Sequence, residues 1–373
     1  ELALLDVREA GQYAAGHLFF STHVPYSRLE IEIRGFVPRL STSIVLYDAA
    51  DGVAEKAASA LIQFGYTEVT ILDGGAPAWA NEGYTLYEGV NLPSKTFGEL
   101  VEHELNTPRL TARELVKMKR QEEDLIILDG RTPEEYHRFN IPGGISCPNA
   151  ELPLQIDNLV STPETTIIIN CAGRTRSIIG AQTLINFGVT NKVFALENGT
   201  QGWALADQEL EYEADRYSTK YVNDIVLHLA LTRAQSVSER FSVPFVGRDT
   251  LSQWLVDQSR TVFLLDVRSR DEYLAGHLAG SQNAPGGQLV QATDRWVGVR
   301  GGRIVICDDT EVRAICTAHW LKQMGWDVYV LQGGIGNAEL ESGGLPESET
   351  MVPMIDALSL LKLVADEEAC ILD

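Results

Sequence analysis

The sequence has few cysteines, fewer basic than acidic residues, and no long apolar run. Its five cysteines are odd in number and lack C-x-x-C spacing, which argues against a disulfide framework or a zinc site. The 30 Lys and Arg residues against 52 Asp and Glu residues give a net charge of −22, which disfavours nucleic acid and anionic membranes as partners. No stretch is apolar enough to span a bilayer, and no leader opens the chain, so we expect a cytoplasmic protein with reduced thiols.

A motif of two short segments occurs three times along the chain. Residues 4–8 (LLDVR) and 13–18 (YAAGHL) recur as residues 264–268 (LLDVR) and 273–278 (YLAGHL). A looser copy begins at Ile127 and reads ILDGR, followed by a tyrosine and then NIPG. Self-similarity of this kind indicates repeated structural units, and a chain of this length has room for several.

Two further landmarks fall in register with the motif. In each copy, 42 residues after the motif aspartate, a strand-like apolar run is followed directly by Asp48, Cys171 or Asp308. Each copy has a glycine 17 residues further on, and a second strand-like run follows it. The paired runs are residues 44–47 and 69–72, 167–170 and 193–196, and 304–307 and 328–331. Short apolar strands that alternate with helical segments predict a parallel sheet covered on both faces.

The predicted fold is therefore α/β, with three tandem domains, each a parallel β-sheet flanked by helices, and the truncated start of a fourth. We assign residues 1–87, 108–205 and 247–346 to the three repeats and residues 351–373 to the start of the fourth. Residues 206–246 predict a solvated connector, with a helix packed across two repeats as the alternative. The second and third repeats open with a helix-like lead-in, residues 111–120 and 250–256, and residues 351–373 repeat it and end in the start of a strand at 370–373. The first repeat lacks this lead-in, so we expect these residues to be an internal part of a longer protein.

Cys171 heads a short loop between a strand and a helix. Residues 177–187 carry apolar residues at helical spacing, and Gly188 follows the last turn. The loop reads CAGRTR, so a glycine and two arginines accompany the thiol. A helix N-terminus, unpaired backbone N–H groups and guanidinium charge all favour thiolate over thiol. We therefore predict that Cys171 ionises readily and acts as a nucleophile, in a loop that also binds anions.

The motifs together resemble the rhodanese (sulfurtransferase) family. They are the opening Asp-x-Arg…Tyr…Gly-His motif, the single cysteine at the head of a Gly- and Arg-rich loop, and the closing Gly-Gly-x-x-x-Trp of residues 74–79. The resemblance covers nearly the whole chain as tandem rhodanese-like domains. It implies that Cys171 is the catalytic residue, which alternates between thiolate and persulfide.

The resemblance also implies donor-binding residues and partners. The donor-binding candidates are Ala172, Gly173, Arg174, Thr175, Arg176 and Arg131, with Arg174 as a secondary contact. The implied reaction moves sulfane sulfur from thiosulfate or a similar small anion to a thiol, cyanide or protein acceptor, with no cofactor and no metal. Arg131 and Asp129 have counterparts in the repeats that lack the cysteine, which favours a structural ion pair for them.

The first and third repeats depart from the family pattern. They carry Asp48 and Asp308 at the cysteine position, and a carboxylate neither forms a persulfide nor attracts an anion. The first repeat also has Val53 in place of the second loop arginine, whereas the third repeat keeps Arg313. We predict that both repeats are catalytically inactive. In the second repeat, Asn140 replaces the histidine of the opening motif.

Two other functions stay open on the sequence alone. Cysteine-dependent phosphatases resemble rhodaneses but place five residues between cysteine and arginine, whereas four separate Cys171 from Arg176. The repeats without the cysteine favour a non-catalytic scaffold or a sulfur carrier. The remaining cysteines lack a charged loop and are expected to be structural; they are Cys147, Cys307, Cys316 and Cys370.

Overall fold

Three parallel sheets, each covered by helices, build the part of the chain that the structure describes. The computed structural model describes residues 1–121, 123–219, 222–336, 338–344 and 355–366. Every strand pairing within the three sheets is parallel. The α/β fold class of tandem domains is confirmed.

The first repeat has four strands in the order β2-β1-β3-β4. Its elements are β1 (Ala3–Asp6), α1 (Ala10–Ala15), β2 (Thr22–His23), α2 (Leu29–Phe36), β3 (Ile44–Tyr47), α3 (Val53–Gln63), β4 (Val69–Ile71) and α4 (Gly75–Asn81). A 3-10 turn at Tyr26–Arg28 precedes α2. The long helix α5 (Leu92–Leu105) then leads to the second repeat.

The second repeat has five strands in the order β5-β9-β8-β6-β7. Its elements are β5 (Arg109–Leu110), α6 (Ala112–Arg120), β6 (Leu125–Asp129), α7 (Pro133–Arg138), β7 (Ile145–Ser146), α8 (Leu152–Leu159), β8 (Thr166–Asn170), α9 (Thr175–Asn186), β9 (Val193–Leu196) and α10 (Gly199–Leu205). The apolar runs predicted as strands at residues 167–170 and 193–196 are β8 and β9.

The third repeat follows the helix α11 (Asp224–Phe241) and repeats the same order, β10-β14-β13-β11-β12. Its elements are β10 (Phe245–Val246), α12 (Arg248–Val256), β11 (Val262–Asp266), α13 (Arg270–Ala275), β12 (Gln282–Asn283), α14 (Gly286–Gln291), β13 (Arg303–Cys307), α15 (Val312–Gln323) and β14 (Asp327–Leu331). A 3-10 turn at Thr293–Arg295 follows α14.

The expectation of a solvated connector at residues 206–246 is wrong for the segment that forms α11. Asn223 caps this helix by accepting hydrogen bonds from the N–H groups of Ile225 and Val226. Small residues at helical spacing, Ala230 and Ala234, are fully buried in the apolar core that α8 and α15 also enter. Because alanine has no bulk beyond its methyl group, this face lets α11 pack closely across the second and third repeats.

The start of a fourth repeat is partly described. The lead-in helix predicted there is α16 (Ala357–Ala365), and the Asp356 side chain caps it by accepting from the N–H groups of Leu358 and Ser359. The expected strand start at residues 370–373 lies outside the described residues. Within the described residues, no helix is both long and apolar enough to cross a membrane.

The repeats pack on one another through a shared apolar core that contains buried residues from all three. Between the second and third repeats, the indole N–H of Trp320 donates to the hydroxyl of Thr183 over 2.8 Å, and both residues are buried. Helix α5 packs against α9, the helix that follows the Cys171 loop. The loop is therefore held between its own sheet and an element from outside its repeat.

Candidate active site

Cys171 lies at the carboxyl end of β8, directly before the loop that leads into α9. The parallel register sets Asn170 beside Asp129, and the Asn170 amide donates to the Asp129 carboxylate over 2.8 Å. The carbonyl of Cys171 accepts a hydrogen bond of 2.8 Å from the N–H of Thr200 at the start of α10. Gly199 makes this approach possible, because its φ is +50° and a Cβ there would lie 2.1 Å from the Cys171 carbonyl oxygen. The Cys171 residue itself is only 2% exposed.

In the first and third repeats, the carboxylate at the cysteine position accepts backbone hydrogen bonds from its own loop. Asp48 accepts from the N–H groups of Ala50 and Ala54, each over 2.9 Å. Asp308 accepts from the N–H groups of Glu311 over 2.6 Å and Arg313 over 3.1 Å. The loop is thus an anion site in both repeats, and each carries its own anion.

The second repeat has the same loop without the carboxylate. In the Asp48 and Asp308 loops, four backbone positions donate to the carboxylate. The corresponding N–H groups in the second repeat belong to Gly173, Arg174, Arg176 and Ser177. No oxygen of the described residues accepts a hydrogen bond from these four N–H groups. The loop around Cys171 therefore offers backbone donors to an external anion or to the sulfur itself.

Arg176 lies in the first turn of α9, and a carboxylate on α7 holds its side chain. Its guanidinium donates two parallel hydrogen bonds to Glu135 on α7, over 2.6 and 2.7 Å, and the arginine is 6% exposed. Burial on its own lowers the pKa of Arg176, but the bonds to Glu135 and the charge of Cys171 raise it overall above its usual range. The guanidinium is therefore a fixed cation next to the cysteine.

The Arg174 side chain points toward helix α5 and is paired with carboxylates there. Its guanidinium forms ion pairs with Glu99, over 2.7 Å, and with Glu102. Gly98 lies on the same face of α5, and a Cβ there would come within 2.8 Å of the Thr175 side chain. Helix α5 therefore fixes the middle of the Cys171 loop from outside the repeat.

Arg131 is buried in an internal ion pair. Its guanidinium donates to both carboxylate oxygens of Asp129, over 2.8 to 3.1 Å, and to the carbonyl of Phe139 over 2.6 Å, and the residue is 1% exposed. Arg8 and Arg268 make the same bonds to their motif aspartates in the repeats without the cysteine. This is a structural role that fixes the strand end, so Arg131 stays outside the donor site that we propose below.

The other described cysteines are buried, as Cys171 is, but they lie outside the loop. Cys147 and Cys307 are 0% exposed and Cys316 is 4% exposed. Burial raises the pKa of each of these thiols above its usual range. Cys370 lies outside the described residues. Among the described residues there is also no cluster of His, Cys, Asp and Glu that could hold a metal ion.

The comparison with protein families decides what these repeats are. The family model of the rhodanese-like domain matches residues 1–82, 111–206 and 248–339. The chain belongs to the rhodanese family. No curated protein sequence matches the chain.

Among solved structures, this rhodanese chain is similar to a thiosulfate sulfurtransferase from Pseudomonas aeruginosa. The two are 48% identical, the TM-score is 0.90, and the alignment covers 92% of this chain and 65% of that chain. The chain thus spans 65% of that protein's length. A rhodanese-like domain from a protein of Anabaena sp. is 26% identical over 24% of this chain and 94% of that one, with a TM-score of 0.22.

Sequence reasoning missed Glu135, the carboxylate that holds Arg176. A signal for it exists in the rhodanese repeats themselves. Six residues after the motif aspartate, the second and third repeats have Glu135 and Glu272, whereas the first has Gln12. Glu272 holds Arg313 over 3.0 Å in the same way, and the first repeat, which has Gln12, also has Val53 in place of the arginine. The glutamate and the arginine are therefore present or absent together.

Proposed function

We propose that the second repeat is a sulfurtransferase that carries sulfane sulfur on Cys171. The donor is thiosulfate or a similar small anion, and the acceptor is a thiophilic nucleophile such as cyanide, a thiol or a protein. The main support is the comparison among the three loops: two hold a built-in carboxylate, and the third has a thiol at that position with its backbone donors unpaired. The similarity to a thiosulfate sulfurtransferase adds to it.

In the first half-reaction, the thiolate of Cys171 attacks the outer sulfur of thiosulfate. A new S–S bond forms to the cysteine, the S–S bond of thiosulfate breaks, and sulfite leaves with the electron pair. The N–H groups of Gly173, Arg174, Arg176 and Ser177 are available to bind the negative charge of the donor and of the leaving sulfite. The positive end of α9 acts in the same direction.

In the second half-reaction, the acceptor attacks the outer sulfur of the Cys171 persulfide. The persulfide S–S bond breaks, the cysteine leaves as a thiolate, and the same N–H groups stabilise it. Because sulfite leaves before the acceptor reacts, the enzyme carries the sulfur as a Cys171 persulfide between the two substrates. The mechanism is therefore covalent catalysis in two steps and predicts ping-pong kinetics.

Arg176 supplies a positive charge whose position does not change between the two steps. The bidentate bond to Glu135 keeps the guanidinium in one orientation and also cancels part of its charge. Arg174 is a weaker candidate for donor contact, because Glu99 and Glu102 already hold its guanidinium. In this proposal, α5 and α7 set the electrostatics of the loop from outside it.

The setting that fits this chemistry is a reducing compartment such as the cytoplasm, since the persulfide cycle needs a free thiol. A net charge of −22 disfavours nucleic acid as an acceptor and leaves small molecules and proteins. The first and third repeats act in this proposal as inactive flanking units, since an aspartate occupies each cysteine position.

Turnover with two small substrates tests the proposal. The chain should convert thiosulfate and cyanide to sulfite and thiocyanate, with parallel lines in double-reciprocal plots. Cys171→Ser should abolish turnover, whereas Cys147→Ser, which changes a buried thiol away from the loop, should keep it. Hydrolysis of an aryl phosphate without any sulfur transfer would support the phosphatase alternative, and absence of both activities would support the scaffold alternative.

A further inference from the structure

A cavity lies where the first repeat, helix α5 and the third repeat meet. Its volume is about 250 Å³, slightly below the roughly 300–1,000 Å³ of pockets that hold drug-sized ligands. One wall comes from residues 19–22 of the first repeat, another from α5, and the third from residues 293–300 and the loop before β14. A cavity of this size suits a small molecule with one or two rings.

The walls of the cavity are mainly flat and apolar. They include Phe19, Phe97, Leu100 and Met324. Leu100 is 54% exposed, so it stands at the mouth of the cavity. Phe97 packs edge-on against the buried Trp320, which fixes the orientation of its ring. Surfaces of this kind favour an aromatic or similarly flat body.

Arg300 adds a positive charge to this apolar wall. Its guanidinium lies over two rings, 4.6 Å from the centroid of Phe20 and 4.3 Å from that of Trp326. No carboxylate or carbonyl oxygen among the described residues accepts a hydrogen bond or forms an ion pair with this guanidinium. Burial lowers the pKa of Arg300, which shows how little compensating charge surrounds it. An anionic group with two or more oxygens would provide the acceptors that the guanidinium lacks.

Asp294 places a carboxyl group in the same cavity. Its Oδ1 is buried and has no hydrogen-bond partner among the described residues. Burial raises the pKa of this carboxyl above its usual range. A buried acceptor without a donor is costly, so a ligand that brings a hydroxyl or amino group would recover that cost.

We propose that this cavity binds a small amphipathic anion, whose flat apolar body lies between the first and third repeats. Its acidic group binds Arg300, and a donor group on the body bonds to Asp294. The site is separate from the Cys171 loop, because Arg174 and Thr175 of that loop contact a different face of α5, at Gly98, Glu99 and Glu102. The inference therefore does not depend on sulfur transfer.

Isothermal titration with 6-hydroxynaphthalene-2-sulfonate tests the proposal on the full chain. The probe carries a two-ring body, an anionic group at one end and a hydroxyl at the other. We expect saturable binding of one molecule per chain at sub-millimolar concentration. The neutral 2,6-dihydroxynaphthalene should bind about tenfold more weakly, because it makes no charge-assisted bond. Inorganic thiosulfate should not displace the probe, and Cys171→Ser should bind it as the wild type does.

Two variants separate the charge from the cavity itself. Arg300→Gln should weaken binding of the sulfonate by about tenfold and leave the neutral probe unaffected. Leu100→Trp, at the exposed mouth, should block both probes without a change in melting temperature. The proposal is overturned if the sulfonate binds Arg300→Gln as tightly as wild type, if thiosulfate displaces it, or if Leu100→Trp leaves its affinity unchanged.

Discussion

Replacing Asp48 by alanine should destabilise the first repeat more than a single substitution in a loop usually does. The carboxylate is 3% exposed and accepts hydrogen bonds from the N–H groups of Ala50 and Ala54, each over 2.9 Å. Alanine would leave both donors without an acceptor at the N-terminus of α3. The built-in anion is what the first repeat has in place of a reactive thiol.

The magnitude follows from the two bonds. A hydrogen bond to a charged group contributes about 1.5–3 kcal/mol, and loss of a helix cap alone costs about 0.5–2 kcal/mol. We therefore expect Asp48→Ala to lower the free energy of unfolding by about 3 kcal/mol, and Asp48→Asn, which keeps one acceptor, by about half of that. Glu55→Ala is the matched control, since it removes an exposed carboxylate from the first turn of the same helix and should cost at most about 1 kcal/mol.

The loss should also depend on pH. Burial on its own raises the pKa of Asp48, but the hydrogen bonds from the loop lower it overall below its usual range. A carboxyl with a depressed folded-state pKa stabilises the protein fully above its unfolded-state pKa of about 3.9, and that contribution is lost as the pH falls through the folded-state value. The difference between wild type and Asp48→Ala should therefore be full at neutral pH and shrink in acid.

Urea unfolding and hydrogen exchange of peptides that cover residues 48–64 provide the assay. Hydrogen exchange is needed because a chain with three repeats need not unfold in one step. Equal exchange protection in Asp48→Ala and Glu55→Ala at neutral pH would refute the reasoning, and so would a difference that grows in acid.

Three further predictions concern the Cys171 loop. Gly199→Ala should reduce sulfur transfer at least tenfold, because a Cβ would lie 2.1 Å from the Cys171 carbonyl oxygen. The equivalent change in the third repeat, Gly334→Ala, should lower stability without changing turnover per folded molecule. Measurements of kcat and of melting temperature distinguish the two effects. Iodoacetamide at neutral pH should label Cys171 first, because burial raises the pKa of the other described thiols. Peptide mapping of labelled Cys370→Ser protein measures the labelling of each cysteine, and uniform labelling would contradict the prediction. Glu135→Gln should lower the KM for thiosulfate roughly fivefold, because the Glu135 carboxylate would no longer offset the charge of Arg176. An increased KM would contradict this and show that the orientation of the guanidinium matters more than its charge.

The sequence predicts the sheets and the place of Cys171 well, for a physical reason. Strands buried on both faces are short apolar runs, and three copies in register mark where each run ends. The runs predicted at residues 44–47 and 193–196 are β3 and β9 with the same ends. The two-residue edge strands, such as β7, carry too little pattern to be recognised from sequence.

The electrostatics of the loop could not be predicted in the same way. Its arginines suggest a strongly positive site, but Glu135 holds Arg176 and two glutamates of α5 hold Arg174. These partners come from elements 41 or more residues away in the chain, and their approach depends on how helices pack. The burial of α11 is hard to predict for a related reason, because its buried face consists of small residues that give a weak apolar signal.

In the proposed function, one sulfur nucleophile in one of three equivalent loops carries the transferred sulfur. The most direct measurement is the intact mass of the chain after incubation with thiosulfate and removal of the excess, followed by peptide mapping. We predict one added sulfur atom per chain, located on Cys171 and absent from Cys171→Ser. A wild-type chain that gains no sulfur, or a Cys171→Ser chain that still gains it, would contradict the account.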